Sequence, residues 1–307
     1  MVHFFRKKPP YTKRIEITPP RPSSGRHGVA IVTQLKNEES YIAEWILFHK
    51  AVGIRHFFIY SNGSTDNSLH IARELLAPDQ LTVIPWAFGL KDVRAGHILN
   101  SQVIAFSHAI LNFGGQYRWM AFIDVDEFLL PKSGRTVEDA LSGVDGFPNV
   151  SLPWHMFGTS GHKERPSGPV LRNYTKRAAD PMSRAKNASN FKCIVDPCEV
   201  SEVSVHHFRT ASYGDLTCND SGKRFHLKER KRSDFYSSKF LQLNHYYSKS
   251  EEELKLKLSR GPASPASRER YTNRVLSAVQ NIMSDEIQDL SMIRFIEDNG
   301  IDLFRQN

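Results

Sequence analysis

Three carboxylates fall within four positions at Asp124, Asp126 and Glu127, directly behind the apolar run Trp119-Met120-Ala121-Phe122-Ile123. Such a run reads as a buried strand. A buried strand ends where its backbone meets water, so the acids belong at its carboxyl edge. Asp124 and Asp126 are two apart and, on an extended backbone, project to the same side. Two hard oxygen ligands at the mouth of a sheet suit Mg²⁺ or Mn²⁺, and a cation held there would in turn hold a diphosphate. An Asp-x-Asp triplet arises by chance about once in a chain of this length. The surrounding elements therefore decide whether it is a site or a solvated loop.

Those elements alternate. Val29 to Leu35 is an apolar run that enters the polar stretch Lys36-Asn37-Glu38-Glu39. Ile42, Trp45, Ile46 and His49 recur at helical spacing, and Gly53 closes that helix. Ile54 to Tyr60 is rich in β-formers and leads into Ser61-Asn62-Gly63-Ser64-Thr65-Asp66-Asn67, which is turn chemistry with several possible N-caps. A second helix carries Leu69, Ala72 and Leu76, a third strand spans Leu81 to Ile84, and a third helix carries Leu99, Val103, Phe106 and Ile110 up to Gly114-Gly115. The strand bearing the acids follows. The order β-α-β-α-β-α-β implies an α/β fold with a doubly wound, mainly parallel sheet and ligands at the carboxyl ends of its strands.

No Gly-x-Gly-x-x-Gly follows the first strand, and no Gly-x-x-x-x-Gly-Lys occurs, so a dinucleotide site and a P-loop are not expected. A metal would have to do the phosphate work that a glycine loop does elsewhere. After Pro131 the pattern loosens. Val150 to Trp154 is a further strand candidate before the glycine-bearing loop Phe157 to His162, and residues 180–190 and 209–235 read as polar, basic surface loops. Phe240 to Tyr247 is extended, Glu251 to Ser259 helical, the prolines at 262 and 265 interrupt, and helices are expected near 268–282 and 285–298.

The chain of 307 residues carries 41 Lys and Arg against 33 Asp and Glu, a net charge of +8 that favours anionic partners (nucleotide phosphates, nucleic acid or an acidic membrane surface) without choosing among them. Three cysteines, Cys193, Cys198 and Cys218, cannot all pair and lack metal-finger spacing, which favours a reducing compartment. No stretch approaches the roughly 18 to 20 apolar residues of a membrane span. Residues 1–28 place Phe4-Phe5 and then Arg6, Lys7, Lys8, Lys13 and Arg14 among prolines, without the apolar block of a secretory signal. They read as a flexible basic arm. A cytoplasmic protein is expected, with peripheral contact at the inner, anionic face of a membrane as a further expectation.

Four blocks recur together: Leu35-Lys36-Asn37-Glu38 with Glu44-Trp45, Tyr60 to Asp66, Trp119 to Phe128, and Leu243-Asn244-His245-Tyr246-Tyr247-Ser248-Lys249-Ser250. In that order they resemble the glycosyltransferase family 92 proteins, within the wider class of GT-A glycosyltransferases related to family 2. Trp154-x-x-Phe157-Gly158 to His162 and Lys257-Leu258-Ser259-Arg260-Gly261 also look like that family. The resemblance covers most of residues 29–261, expected as the GT-A domain, with 262–307 as a C-terminal helical extension packed on it. It implies a nucleotide-sugar donor, a glycan, glycolipid or protein acceptor, Mn²⁺ or Mg²⁺, inversion at the anomeric carbon, and no nucleic-acid partner.

Residue by residue, Asp124 matches the first acid of the family triplet, near the donor ribose or sugar and the metal. Asp126 matches the last, on the metal, and His245 falls where many GT-A enzymes place a late metal-binding histidine, with His206 and His207 as rivals. Thr33, Lys36 and Asn37 end the first strand and could frame the base, with Asn62 and Asp66 close to the nucleoside. Family 2 relatives carry an Asp-Asp pair where this chain has Ser61-Asn62, and Asp66 has a capping role as its alternative. Lys91 and Arg94 are candidates for phosphate. For the catalytic base the expectation is Glu164, with Asp196 and Asp215 as alternatives, and Trp154 and Phe157 could stack on a sugar ring.

Two other functions compete. A sugar nucleotidyltransferase needs a glycine-rich triphosphate loop near the first strand, and Gln34 to Ser40 contains no glycine. An inactive GT-A-like module that binds glycan or an anionic surface has no physical need for the acid triplet.

Overall fold

The expected alternation is present from the first strand to the acids. Val29–Leu35 (β1), Ile42–Ala51 (α1), Ile54–Ser61 (β2), Ser68–Leu75 (α2), Leu81–Pro85 (β3), Ser101–Phe113 (α3) and Trp119–Phe122 (β4) follow in turn. The computed structural model describes residues 11–144, 146–261 and 268–303. Strands β3, β2, β1 and β4 lie side by side in that order, all parallel. The period of two along β1 assigns the layers: Val29 and Ile31 pack with Trp45, Ile46 and Ala72 of α1 and α2, whereas Ala30 and Val32 pack with Val103, Phe106 and Ile110 of α3. Helices on both faces make the sheet doubly wound, and all four of these β1 residues are fully buried.

Gly53 adopts φ +84°, a conformation that L side chains avoid, and its N–H reaches Lys50 O at 3.1 Å, so the chain reverses from α1 into β2 within two residues.

Beyond β4 the sheet becomes mixed. Glu127–Pro131 (β5), Asn149–Phe157 (β6), Phe191–Val195 (β7) and Leu241–Tyr246 (β8) complete the principal strands. β4 pairs antiparallel with β7, and β7 antiparallel with β6. Strand β6 is a fork. Residues 149–153 pair with β7, whereas residues 154–157 pair in parallel with β8, which pairs antiparallel with β5. The acid turn between β4 and β5 thus joins two arms of the sheet, and Trp154 sits at the branch point. Helices Glu251–Arg260 (α4), Arg268–Ser284 (α5) and Ser291–Asp298 (α6) follow.

Three expectations change. Residues 209–235 are not simply a surface loop: Leu216–Cys218 adds to β6 in parallel, and Arg224–His226 pairs on its other side. A three-residue strand is too short to leave a periodic signal. The helix expected over 285–298 starts later, because Glu286–Gln288 is a strand on Lys176–Ala178 and Asp289 accepts from Ser291 N at 2.9 Å to open α6. Within the expected arm, residues 11–28 pack on the domain. Tyr11 pairs with Ile98, Ile15 with Val203, and Arg26 forms a two-pronged ion pair with Asp196 at 2.5 and 2.7 Å. Phe4 to Lys8, the prolines at 262 and 265, and the boundary placed at 262 lie outside the described residues. No described helix is long and apolar enough to cross a membrane.

His49 of α1 ties the parallel layer to β5. Its Nδ1 donates to Trp45 O at 2.8 Å and its Nε2 accepts from Leu129 N at 3.3 Å, a pattern only the neutral ring can make. Burial pushes its pKa down to about 3. The folded value lies below the unfolded value of about 6.5, so this contribution is present above pH 6.5 and is lost as pH falls towards 3. At pH 5 the loss is about 2 kcal/mol. Urea unfolding of His49→Gln at pH 7.5 and 5.0 should show a smaller acid-induced drop than the native chain; equal drops would contradict the assignment.

Candidate active site

Asp124-Val125-Asp126-Glu127 is a turn, not a strand end, closed by Glu127 N donating to Asp124 O at 3.0 Å. The alternation expected of an extended backbone therefore does not apply. The two aspartates take different partners while lining one cavity.

Asp124 faces Lys192. This lysine stands in the middle of β7, a strand whose five residues are all buried, and its side chain is 1% exposed. Its Nζ lies 2.7 Å from Asp124 Oδ2 and 3.6 Å from Glu127 Oε2. Burial alone would lower its pKa, but Asp124 and Glu127 hold it above the ordinary lysine value. The other oxygen of Asp124 accepts from Gln102 Nε2 at 3.0 Å. Gln102 is set by the cap of α3, where the Asn100 side chain accepts from Gln102 N at 2.9 Å and from Val103 N at 3.2 Å.

Glu127 is fully buried, and its Oε2 accepts from Asp124 N at 2.9 Å. Burial pushes its pKa well up, against the pull of Lys192.

Asp126 faces away from Lys192, towards β8 and α4. Its backbone O accepts from Tyr246 N at 2.8 Å, its Oδ2 stands 3.4 Å from His245 Nε2, and Lys257 Nζ is 3.6 Å from the same oxygen. Burial would raise the carboxyl pKa, but His245 and Lys257 hold it well below the usual range. Burial pushes the His245 imidazole down, with Asp126 opposing. Lys257 is delivered by α4, whose capping box joins Ser250 and Glu253; the Tyr41 and Tyr174 hydroxyls both donate to that glutamate.

Could this group hold a dication? Two ligands at about 2.1 Å from one ion, near 100° apart, are separated by about 3.2 Å, close to the 3.4 Å between Asp126 Oδ2 and His245 Nε2. Behind the ring, His245 Nδ1 faces Glu127 Oε1 at 3.7 Å, and both atoms are buried without a hydrogen-bond partner. A carboxylate in that place orients a metal-bound histidine. Among the described residues, no three His, Cys, Asp or Glu side chains converge on a metal position. The pair therefore suits an ion that takes its remaining ligands from phosphate and water, as Mg²⁺ does. Asp124 stands apart from it, on Lys192.

The cavity has a volume of about 700 Å³. Trp154 crosses its floor and meets His245 edge-on at 4.5 Å and His206 edge-on at 5.4 Å. Lys257 and Arg274 line the Asp126 end. Phe157 instead is buried against Tyr246, ring to ring at 4.6 Å.

The residues expected near the nucleoside form a separate stitch between two loops. Asn37, at φ +57°, accepts from Thr65 N at 2.9 Å, while Asp66 accepts from Glu39 N at 3.0 Å and from the Ser68 hydroxyl at 2.6 Å. Thr33 is buried in β1, and Lys36 and Asn62 have no side-chain hydrogen bond among the described residues. None of the five lines the cavity.

Glu164 lies in a different concavity with Glu251, Glu252 and Lys255. Asp196 is held by Arg26 and by Arg118 at 2.8 Å, and Asp215 pairs with His226 at 2.9 Å. Lys91 and Arg94 are exposed, and neither they nor His207 line the cavity. Sequence reasoning missed Lys192, Gln102 and the positioning part of Glu127. The signal for Lys192 was there, a single charge inside Phe191-Lys192-Cys193-Ile194-Val195.

A family model, Glycosyltransferase family 92, matches residues 27–283. A glycosyltransferase family 92 protein of Oryza sativa subsp. japonica is 27% identical over 227 residues, 72% of this chain and 33% of that protein. Another, of Ricinus communis, is 30% identical over 192 residues, 59% of this chain and 31% of that protein. The chain thus spans about a third of the length of the curated relatives it matches. Among solved structures, S. aureus TarS 1-349 in complex with UDP-GlcNAc is 14% identical with a TM-score of 0.35, covering 81% of this chain and 71% of that one. Glucosyl-3-phosphoglycerate synthase of Mycobacterium tuberculosis, in complex with Mn²⁺, UDP and glucosyl-3-phosphoglycerate, is 17% identical with a TM-score of 0.29, covering 44% and 46%.

Removing the ammonium leaves Glu127 and Asp124 without their cation. Lys192→Met should destabilise the fold by about 3 kcal/mol, the scale for breaking a buried pair, and adding Glu127→Gln should recover part of it. Urea midpoints read both, and a Lys192→Met chain as stable as the native one would contradict the assignment.

Proposed function

Because the chain belongs to glycosyltransferase family 92, we propose that it transfers a sugar from a nucleotide-sugar donor to a glycan, glycolipid or protein acceptor, with inversion and with a divalent cation. The observation that carries this reading is the convergence of Asp126 Oδ2 and His245 Nε2 at 3.4 Å, at the end of the cavity that Lys257 and Arg274 also line.

Asp126 and His245 would hold Mn²⁺ or Mg²⁺ through one oxygen and one nitrogen, with Glu127 keeping the imidazole oriented from behind. The cation would supply Lewis-acid stabilisation of the departing diphosphate. The chain's own contribution is electrostatic and positional. Lys257 and Arg274 place positive charge where negative charge gathers as the glycosidic bond breaks, in a recess where such charges act strongly. Asp124, held on Lys192 and Gln102, presents a fixed carboxylate edge to the donor ribose or sugar. Trp154, in contact with both imidazoles, offers an apolar surface to a sugar ring.

On the nucleoside side, Lys36 and Asn62 have side chains free to meet base or ribose, and Asn37 and Asp66 keep their loops in register. Thr33 sits beneath, in β1. Arg274 comes from α5, so the helical segment from 268 onwards would act within the same catalytic unit as residues 29–261. The basic arm and contact with an anionic membrane face stay part of this proposal, as does a cytoplasmic setting.

Nucleotide release from a panel of UDP- and GDP-sugars, with and without Mn²⁺, tests the reading. The native chain should release nucleotide only with the metal. Asp126→Asn should lose at least ~100-fold, the scale of losing one charge-stabilising group, while keeping the native circular-dichroism spectrum. Pyrophosphate as the product, no nucleotide binding, or near-native activity in Asp126→Asn would contradict it.

A further inference from the structure

Inversion needs a base that removes the acceptor proton from the side of the sugar opposite the diphosphate. The carboxylates facing the cavity are committed. Both oxygens of Asp124 are taken by Lys192 and Gln102, and Asp126 faces His245 and Lys257 at the other end. Glu164, Asp196 and Asp215 stand outside the cavity. Among the described cavity residues, the remaining lysines and Arg274 are cations, and burial pushes the Tyr247 hydroxyl up to about 12.

His206 differs from all of these. Its Nδ1 lies 3.0 Å from Phe191 O, a carbonyl that can only accept, so the proton sits on Nδ1 and Nε2 keeps a lone pair. Among the described residues Nε2 has no hydrogen-bond partner. The ring is held from two further sides. Arg230, 8% exposed and lacking a carboxylate partner among the described residues, donates to His206 O at 2.9 Å while its guanidinium lies 4.5 Å over the Phe191 ring. Trp154 meets the imidazole edge-on. A buried arginine spent on a loop carbonyl fixes where the next side chain points.

The spacing fits an in-line displacement. With Trp154 to His245 at 4.5 Å and Trp154 to His206 at 5.4 Å between ring centroids, the two imidazoles share one indole neighbour and lie within about 10 Å of each other. An in-line array of base, acceptor oxygen, anomeric carbon and leaving oxygen, with near-attack separations of about 3 Å, spans roughly 8 Å and fits within that limit.

Resting on the glycosyltransferase reading above, we infer that His206 is the catalytic base, its Nε2 taking the proton of the acceptor hydroxyl across the Trp154 platform from the diphosphate. The acceptor O–H bond breaks to Nε2 as its oxygen bonds to the anomeric carbon. The anomeric C–O bond breaks with its electron pair going to the diphosphate, so charge and protons balance without a further reactant. Burial and then Lys192 push the ring's pKa down to about 3, which keeps it neutral in the resting site. A bound diphosphate brings negative charge into the cavity and raises it, so the base strengthens when the donor is in place.

His206→Asn keeps a donor for Phe191 O and removes the basic nitrogen. The probe is the donor of the UDP- and GDP-sugar panel from which the native chain releases most nucleotide, with Mn²⁺ and water as acceptor. Binding of the matching nucleoside diphosphate should stay within about 3-fold of native, while release to water falls ~10²–10⁴-fold, the range for removing a general base. Adding azide, a nucleophile with no proton to surrender, should restore release in the variant. Near-native release to water, or a loss that azide leaves in place, would overturn the base assignment alone. A native chain that binds no nucleotide would overturn this assignment and the glycosyltransferase reading together.

Discussion

The ammonium of Lys192 lies almost sealed from solvent between Asp124 and Glu127, and the shape of the site follows from it. A charge buried without a partner costs several kcal/mol, so β7 can take its place beside β4 only if acids receive its lysine. Those acids are the first and last residues of the turn between β4 and β5. The pairing settles how that turn closes, with Glu127 Oε2 accepting from Asp124 N. It leaves the middle acid, Asp126, free of the lysine and turned towards β8. The ion pair with Lys192 and a carboxylate turned towards His245 are thus separated within four residues of chain.

The fork in β6 does the rest of the positioning. Its first half belongs to the arm that contains β7 and the parallel strands, and its second half to the arm that contains β8 and β5. The cavity opens where the arms part. Residues from both arms line it: Asn190, beside β7, from one and His245 from the other, with Trp154 at the branch in contact with the His206 and His245 rings. Helix α4 then closes the Asp126 end with Lys257, fixed by a glutamate that serves the helix cap and two tyrosine hydroxyls together.

The parallel half of this design was legible in the chain. Val29 to Leu35 and Ile54 to Tyr60 are long apolar runs, and Ile42, Trp45, Ile46 and His49 repeat at helical spacing; local pattern decides such elements. The ordered blocks around Asn37, Asp66, Asp126 and His245 carried the family, which the match over residues 27–283 establishes. What stayed hidden depends on long-range pairing. Nothing near Asp124 announces that a lysine 68 residues later will neutralise it. Asp124 and Asp126 were expected on one side of an extended backbone, but the turn closed by Glu127 N on Asp124 O sends them to different partners. Leu216–Cys218 and Glu286–Gln288 are strands only because other strands accept them. Glu164 looked suitable from its place after a glycine loop, yet only the tertiary fold tells which concavity a surface carboxylate enters.

The central claim is that one dication sits between Asp126 and His245. Anomalous diffraction from a crystal soaked with Mn²⁺ and UDP tests it most directly. The expected result is a single manganese peak bonded to Asp126 Oδ2 and His245 Nε2, with diphosphate oxygens completing its shell and Lys192 still on Asp124. A manganese bound elsewhere with these two side chains unligated, or a diphosphate seated in the cavity with no metal beside it, would contradict the account.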